Sequence, residues 1–235
     1  MAGYKRILLK LSGEALAGEK KTGFDEATCL AVAKQVKEIV DRGTEVAIVI
    51  GGGNFWRGRT SETIDRYKAD QIGILATVMN CIYVSDIFRY AGMQTSIYAP
   101  FAISDMCEVF SKDKAVDDLS VGRVVFLAGG TGHPYFTTDS GTALRAVELE
   151  CDIIMMAKAI DGVYSADPKL DPTAVKYITI SLSEVIEKNL KVIDTTATAL
   201  CLENRMPLLI FSLNEEESIV NNASGVCTGT VVTAE

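Results

Sequence analysis

Short apolar runs that end in glycine constrain the fold of this chain more than any other feature of its sequence. KRILLKL (5–11) ends at a Ser-Gly pair, TEVAIVI (44–50) leads directly into three glycines, and RVVFLAGG (123–130) ends in two. CDIIMMA (151–157) and PLLIFSL (207–213) are similar runs further along the chain. Apolar runs without polar alternation are typical of strands that are buried on both faces of a parallel sheet. These runs therefore predict the strands of a mostly parallel sheet.

Helical patterns separate the predicted strands. In residues 26–42 the apolar side chains recur on one stripe, and Gly43 follows at the position where helices commonly end. Residues 70–90 and 139–149 also follow a helical period, and 70–90 is apolar on nearly every face. Strands that alternate with helices predict an α/β fold, a three-layer α/β/α sandwich with a central, mostly parallel sheet.

The turn-rich segment 161–180 interrupts this alternation. Its sequence, DGVYSADPKLDPTAVKYITI, combines turn residues with short β-like pieces and predicts a hairpin excursion. No internal repeat, low-complexity tract or linker divides the 235 residues, so we expect a single domain over 1–235.

The charge and composition of the chain exclude several classes of function. Its formal net charge of −8 argues against a nucleic acid or an anionic membrane as the main partner, because both require a basic surface. A phosphorylated small molecule stays possible, since a few backbone N–H groups and one or two cations can hold phosphate whatever the overall charge. The N-terminal MAGYKRILLKLSG has no long apolar stretch before a cleavage site, so we expect no signal peptide, no membrane span and a cytoplasmic protein.

Cysteine and histidine usage narrows the chemistry further. The 6 cysteines are scattered singly, which predicts reduced and mostly buried thiols instead of disulfides or a zinc site. His133 is the only histidine, so a multi-histidine metal site cannot be built. We predict no metal-ligating side chains.

The three glycine turns predict a binding site at one edge of the sheet. In open α/β sheets ligands bind beyond the carboxyl ends of the strands. Glycine lets backbone N–H groups approach an anion closely and permits the positive φ angles of an anion-binding turn, so we expect such angles here. The chain has no GxxxxGK[ST] motif, and GxGxxG fails because Trp56 and Tyr135 stand where its last glycine is required. The turns therefore predict a phosphate site that is neither a P-loop nor a dinucleotide fingerprint.

Lys10 is the candidate cation at this site. It lies in an otherwise apolar strand, two residues before the Ser12-Gly13 turn. A buried ammonium costs desolvation free energy unless it reaches a ligand or a carboxylate. The alternative is a lysine on an edge strand whose side chain extends into water.

Five segments resemble bacterial uridylate kinases of the amino-acid kinase family. They are KLSGEAL (10–16), IGGGNFWRG (50–58), ADQIGILATVMN (69–80), GGTGHPYFTTDS (129–140) and DGVYSADPKLDP (161–172), in the family's order and with nearly its spacing. The resemblance implies phosphoryl transfer from ATP to UMP with Mg²⁺ as cofactor. It also implies an N-terminal part that binds the acceptor and a C-terminal part, from about residue 150, that binds ATP.

The resemblance also implies roles for individual residues. The residues implied for catalysis are Lys10, Asp139, Lys158 and Arg57, with Asp139 orienting the lysines. Those implied to bind ATP are Lys10, Leu11, Ser12, Gly13, Gly53, Arg57, Lys158, Tyr164 and Asp167. Those implied to bind UMP are Gly52, Asp70, Thr131, Gly132, His133, Pro134, Tyr135, Phe136, Thr137 and Thr138.

The resemblance further implies a homohexamer under allosteric control. GTP would activate the enzyme and UTP would inhibit it, with an effector loop formed by Gly18, Glu19, Lys20, Lys21, Thr22 and Gly23. Two positions depart from the family pattern. His133 stands where asparagine is more usual, and Ala159 stands where many relatives have a second lysine. We assign the role of that lysine to Lys158 and predict that His133 contacts UMP.

A phosphate monoester acceptor requires no catalytic base. Its second pKa is about 6, so the attacking oxygen is already ionised at neutral pH. Two alternatives stay open: an amino-acid kinase that phosphorylates a carboxylate, such as that of acetylglutamate or glutamate, and a nucleotide sensor without turnover. For Asp194 we predict a helix N-cap. Trp56 is as consistent with a subunit contact as with a ligand contact.

Overall fold

One twisted sheet organises the chain. The computed structural model describes residues 3–56, 63–190 and 192–235. The strands in these residues are β1 (Arg6–Leu11), β2 (Glu45–Ile50), β3 (Thr95–Ala99), β4 (Glu108–Val109), β5 (Val124–Leu127), β6 (Ile153–Lys158), β7 (Thr179–Ser181), β8 (Leu208–Ser212) and β9 (Thr230–Thr233). Their order is β4-β3-β5-β2-β1-β6-β8-β9-β7. Every pairing is parallel except that of β8 with β9, so the predicted mostly parallel sheet is confirmed.

Helices cover both faces of this sheet. They are α1 (Gly13–Leu16), α2 (Glu26–Asp41), α3 (Arg66–Tyr90), α4 (Lys112–Ser120), α5 (Thr138–Glu148), α6 (Leu182–Glu187), α7 (Thr195–Glu203) and α8 (Ser218–Ala223). Leu9 and Leu11 of β1 pack with residues of α2, α3 and α8 in one core cluster. Leu8, on the opposite face, packs with residues of α4, α5, α6 and α7 in another. The three-layer α/β/α arrangement is therefore confirmed.

The predicted helices lie close to the observed ones. The helix predicted over 26–42 is α2, and Gly43 follows it with φ +93°. The helix predicted over 70–90 begins earlier, at Arg66, because the Asp65 carboxylate accepts a hydrogen bond from the Lys68 N–H and caps the first turn.

The sequence does not predict several peripheral strands and helices that the structure contains. β3 has only 5 residues and β4 only 2, while α4 is rich in charged side chains. Such short elements show too little apolar periodicity to be recognised. In the segment 161–180, an antiparallel bridge between Tyr164 and Lys176 confirms the hairpin. The end of that segment then returns to the sheet as β7, which pairs with β9.

The apolar composition of α3 has two explanations: one side of the helix packs in the core, and another side carries an exposed apolar stripe. Among the described helices, α3 is the only one that is long and apolar enough to cross a membrane. However, Val84 and Phe88 pack in the core beneath the sheet, which accounts for one side of the helix. A second stripe remains exposed and consists of Ile72, Leu75, Met79 and Ile82.

The cysteines are free thiols, as predicted. Five are buried and Cys227 is exposed. Burial raises the pKa of Cys29 to about 11 and the pKa of Cys201 to about 12. These thiols therefore stay protonated at neutral pH and behave as small apolar side chains.

Candidate active site

The glycine turns after β1, β2 and β5 lie together at the carboxyl edge of the sheet, because these strands are neighbours in the order β5-β2-β1. The first two turns touch through their backbones. A Cβ atom built on Gly13 would lie 2.2 Å from the Gly51 carbonyl oxygen and 2.4 Å from Asn54 Oδ1. Glycine stands at position 13 because nothing larger fits there, and its φ angle is not positive.

The third turn does use the backbone freedom of glycine. Gly129, Gly130 and Gly132 have φ values of +75°, +55° and +81°. The Gly129 N–H donates a hydrogen bond to Thr77 Oγ1 at 2.8 Å, which joins this turn to α3. The predicted positive φ angles are therefore confirmed in the third turn.

A buried amide pair fixes the second turn. Asn54 and Asn80 exchange side-chain hydrogen bonds of 3.0 and 2.8 Å. Asn80 Nδ2 also donates to the Gly51 carbonyl at 2.8 Å, and Asn54 Nδ2 donates to the Gly23 carbonyl at 2.8 Å. The pair thus connects α3, the turn after β2 and the end of the loop 18–23.

Lys10 lies at the centre of the glycine-rich edge. Its strand, β1, has β2 on one side and β6 on the other, so the edge-strand alternative is wrong. Lys10 Nζ lies 3.0 Å from Asp139 Oδ1, and both side chains are largely buried. Asp139 belongs to the first turn of α5. The carboxylate partner that the buried lysine required is therefore present.

The N-terminus of α5 is held in place by a second carboxylate. Thr137 caps the helix by accepting hydrogen bonds from the N–H groups of Asp139 and Ser140. Asp194 in turn accepts hydrogen bonds from the hydroxyl groups of Thr137 and Ser140, and caps α7 through the Ala197 N–H. Burial raises the pKa of Asp194, but these hydrogen bonds outweigh it and place the pKa below its ordinary value. The predicted cap is confirmed, and the same carboxylate also joins α7 to α5.

A first cavity, of about 150 Å³, lies between α3 and the third glycine turn. It contains most of the residues that the family resemblance implies for UMP. Those that line it are Gly52, Asp70, Thr131, His133, Phe136, Thr137 and Thr138. The His133 side chain is largely exposed, and its backbone N–H donates to Thr131 Oγ1 at 3.3 Å. A contact between His133 and UMP stays a prediction.

A second cavity, of about 690 Å³, connects the first cavity to Lys10. Lys10, Asp139 and Asp194 line it, together with Arg66 from the first turn of α3. Its lining shares four residues with the first cavity: Asp70, Phe136, Thr137 and Thr138. The two cavities are therefore adjacent, and Lys10 faces the space beside the first one.

A third cavity, of about 1030 Å³, lies beyond the end of β6. Lys158, Tyr164 and Asp167, three of the residues implied for ATP, line it. Val192 lines both the second and the third cavity, and Lys158 Nζ donates a hydrogen bond to its carbonyl. The second cavity therefore has the first on one side and the third on the other.

Lys158 is a partly buried cation close to the Lys10–Asp139 pair. Burial lowers its pKa below the ordinary lysine value, the Asp139 carboxylate opposes this change, and Lys10 adds to it. Burial removes water from the ammonium group, so an incoming anion stabilises it more than it would stabilise an exposed ammonium. Lys10 in the second cavity and Lys158 in the third therefore favour a polyanion that reaches from one cavity to the other.

Some candidate residues lie elsewhere. Gly53, which the resemblance implies for ATP, lines the first cavity and not the third. The side chain of Leu11 is fully buried in the core, which leaves only its backbone for a ligand. Gly132, Pro134 and Tyr135 do not line the first cavity. Arg57 lies outside the described residues.

Sequence reasoning missed part of the first cavity. Gly73, Ile74 and Thr77 of α3 line it, beside Trp56, for which a ligand contact was one of two open interpretations. A glycine inside an otherwise strong helical pattern is a signal that could have identified this part of α3, because helices disfavour glycine without a packing or binding reason. For Trp56, the contact with a binding cavity is the alternative that the geometry favours.

Comparisons with known proteins agree with this arrangement. The model of the amino acid kinase family matches residues 5–212. The structure is similar to UMP kinase from Bacillus anthracis, with a TM-score of 0.95 and 33% sequence identity over 99% of this chain and 97% of that chain. It is also similar to UMP kinase from Ureaplasma parvum, with a TM-score of 0.92 and 34% identity over 97% of this chain and 98% of that chain.

Proposed function

The chain belongs to the amino acid kinase family, and we propose that within this family it transfers the γ-phosphoryl group of ATP to UMP, giving UDP and ADP. The main support is the position of Lys10. Its ammonium faces the second cavity, which adjoins both the first and the third. Both similar structures are UMP kinases and cover nearly the whole chain. The proposal places UMP in the first cavity and the adenine nucleotide in the third.

Charge neutralisation is the main catalytic task in phosphoryl transfer. Lys10 supplies a positive charge to phosphates in the second cavity, and Lys158 supplies one from the adjoining third cavity. Asp139 holds Lys10 at 3.0 Å and fixes the direction of its ammonium group. The N-terminus of α5 adds a favourable helix dipole at the same place. The UMP phosphate is largely ionised at neutral pH, so no side chain has to remove a proton from it.

The carboxylates around the second cavity fit a bound Mg²⁺. Among the described residues no group of three His, Cys, Asp or Glu side chains converges on one point. Mg²⁺ is usually held by one or two carboxylates together with substrate phosphates and water. Asp139 and Asp194 line this cavity and would supply such carboxylates, which departs from our sequence-based expectation of no metal-ligating side chain. When bound, the cation would neutralise charge on the phosphates of ATP.

A coupled ADP-release assay with a panel of acceptors tests the acceptor assignment. UMP, CMP, N-acetylglutamate and glutamate would each be offered with ATP and Mg²⁺. We expect UMP to give the highest kcat/KM, because the first cavity contains the segment that the family uses for UMP. A higher value with either amino acid would favour a carboxylate kinase. Tight nucleotide binding without ADP release from any acceptor would favour a sensor.

We propose that the protein forms a homohexamer and that α3 supplies one of its contacts. The exposed stripe Ile72, Leu75, Met79 and Ile82 is apolar, and such faces are commonly covered in oligomers. Leu75→Glu should therefore produce smaller species, because a carboxylate would be buried in the contact. Light scattering coupled to gel filtration would measure the mass. A parent protein that is monomeric at micromolar concentration would contradict the proposal.

Regulation and cellular role follow from the same family membership. We propose that the enzyme acts in the cytoplasm in pyrimidine nucleotide synthesis, with GTP as activator and UTP as inhibitor. The loop 18–23 supports this proposal, since its last residue is tied to the second glycine turn through Asn54. A conformational change in the loop 18–23 would thus be transmitted to the glycine turn after β2, beside the first cavity.

A further inference from the structure

Tyr135 has a backbone conformation that requires support from its neighbours. Its φ angle is +71°, in the left-handed region that non-glycine residues rarely adopt. Three neighbours contact this residue: Asp70, Arg66 and Tyr67, whose ring centre lies 6.5 Å from that of Tyr135. The Tyr135 N–H donates a hydrogen bond to Asp70 Oδ2 at 2.8 Å. The guanidinium carbon of Arg66 lies 5.5 Å from the centre of the tyrosine ring, within cation–π range.

Arg66 also contacts Asp70 directly. Its Nε lies 3.3 Å from Asp70 Oδ2, the same oxygen that accepts the Tyr135 N–H. Within the described parts of the chain, the other oxygen, Oδ1, accepts no hydrogen bond. Asp70 lines both the first and the second cavity. One carboxylate oxygen is thus used by the protein, and the other is available to a ligand.

We propose that Arg66 is a positioning residue for the acceptor nucleotide. It fixes the Asp70 carboxylate from one side and covers the Tyr135 ring from the other, so that Asp70 keeps its position in the wall of the first cavity. Asp70 Oδ1 is then left for the uncharged nucleoside, because a carboxylate repels phosphate. This inference rests on the proposed function, because it assigns the first cavity to UMP. Arg66 acts through Asp70 and Tyr135, without touching the reacting atoms.

Because Arg66 is exposed, it can be replaced while the protein keeps its fold, and this makes the inference testable. Its side chain is 49% exposed, and the Asp70 carboxylate, which is 19% exposed, keeps the hydrogen bond from the Tyr135 N–H when Arg66 is replaced. Arg42 offers a matched control: its side chain is 53% exposed and it pairs with Glu38, also four residues away on a helix. Arg42 lines neither the first nor the second nor the third cavity.

Arg66→Gln and Arg42→Gln would be compared by steady-state kinetics and thermal melting. For Arg66→Gln we expect the KM for UMP to rise about tenfold, the effect of losing one hydrogen bond to a charged group. The KM for ATP and the melting temperature should stay at the parent values. Arg42→Gln should match the parent in all three measurements. Equal KM values for UMP in the two variants would overturn the inference.

Uridine distinguishes positioning from direct contact with phosphate. As a competitive inhibitor against UMP, uridine should lose affinity for Arg66→Gln by the same factor as UMP, because Asp70 and Tyr135 would act on the nucleoside. If only UMP loses affinity, Arg66 binds the phosphate and the inference is wrong. An inactive parent enzyme would instead refute the proposed function, so the two failures are distinguishable.

A double-mutant cycle tests the connection through Tyr135. Tyr135→Leu removes the ring under Arg66 and should also raise the KM for UMP. Combined with Arg66→Gln, the increase should be smaller than the product of the two single effects, because both changes disrupt the same contact. Multiplicative effects would show that Arg66 acts independently of Tyr135 and would contradict the inference.

Discussion

Replacing Lys10 with methionine is expected to lower kcat for UMP by two to three orders of magnitude, on the order of the loss seen when one preorganised charge-stabilising group is removed. The lysine ammonium lies 3.0 Å from Asp139 and faces the second cavity. Methionine keeps the length of the side chain and suits the apolar strand β1. The melting temperature should nevertheless fall, because the largely buried Asp139 carboxylate loses its ion-pair partner, and the phosphates lose a fixed cation.

Lys34→Met is the matched control for this experiment. Lys34 lies on the exposed side of α2, away from the three cavities, so its loss should leave kcat at the parent value. Single-turnover measurements with saturating ATP and UMP would isolate the chemical step. A folded Lys10→Met protein with the kcat of the parent would contradict the role that we assign to Lys10.

The second large effect is expected for Gly13→Ala, and it concerns the fold of the site. A Cβ atom at this position would lie 2.2 Å from the Gly51 carbonyl oxygen, so the first two glycine turns would have to separate. Overpacking of this kind costs about 3 kcal/mol. For a domain of this size the melting temperature should fall by about 6–12 °C. The KM for ATP should rise as well, because the turn after β1 moves.

Gly73→Ala provides the contrast. A Cβ atom there meets only Trp56, at 3.9 Å, and the position lies inside α3. Alanine is favoured over glycine in a helix by about 0.5–1 kcal/mol, so the free energy of unfolding should stay equal or rise. Differential scanning calorimetry would measure both variants. Equal melting temperatures for Gly13→Ala and the parent would show that the turns can separate without cost.

The sequence predicts those parts of the site that depend on local pattern. Apolar runs that end in glycine identified the strands and the edge of the sheet at which the cavities lie. Lys10 was recognised because a charge within an apolar strand needs a partner, and Asp139 provides it. The positive φ angles of Gly129 and Gly130 were predicted from glycine chemistry alone.

Other parts of the site depend on contacts between distant segments and could not be predicted in this way. The requirement for glycine at position 13 arises from Gly51, which belongs to a different strand end. Asp194 has the local signature of a helix cap, and its hydrogen bonds to Thr137 and Ser140 appear only when α7 packs beside α5. The wall that Thr77 forms in the first cavity likewise requires α3 to lie against the third glycine turn.

The most direct test of the account is to follow the transferred phosphoryl group itself. Phosphorus NMR of a mixture of ATP, UMP, Mg²⁺ and the purified protein would resolve the phosphates of all four nucleotides. We expect the γ signal of ATP and the UMP signal to disappear together, while signals of ADP and UDP rise in equal amounts. Loss of the γ signal to inorganic phosphate with UMP unchanged, or no change in any nucleotide, would contradict transfer from ATP to UMP.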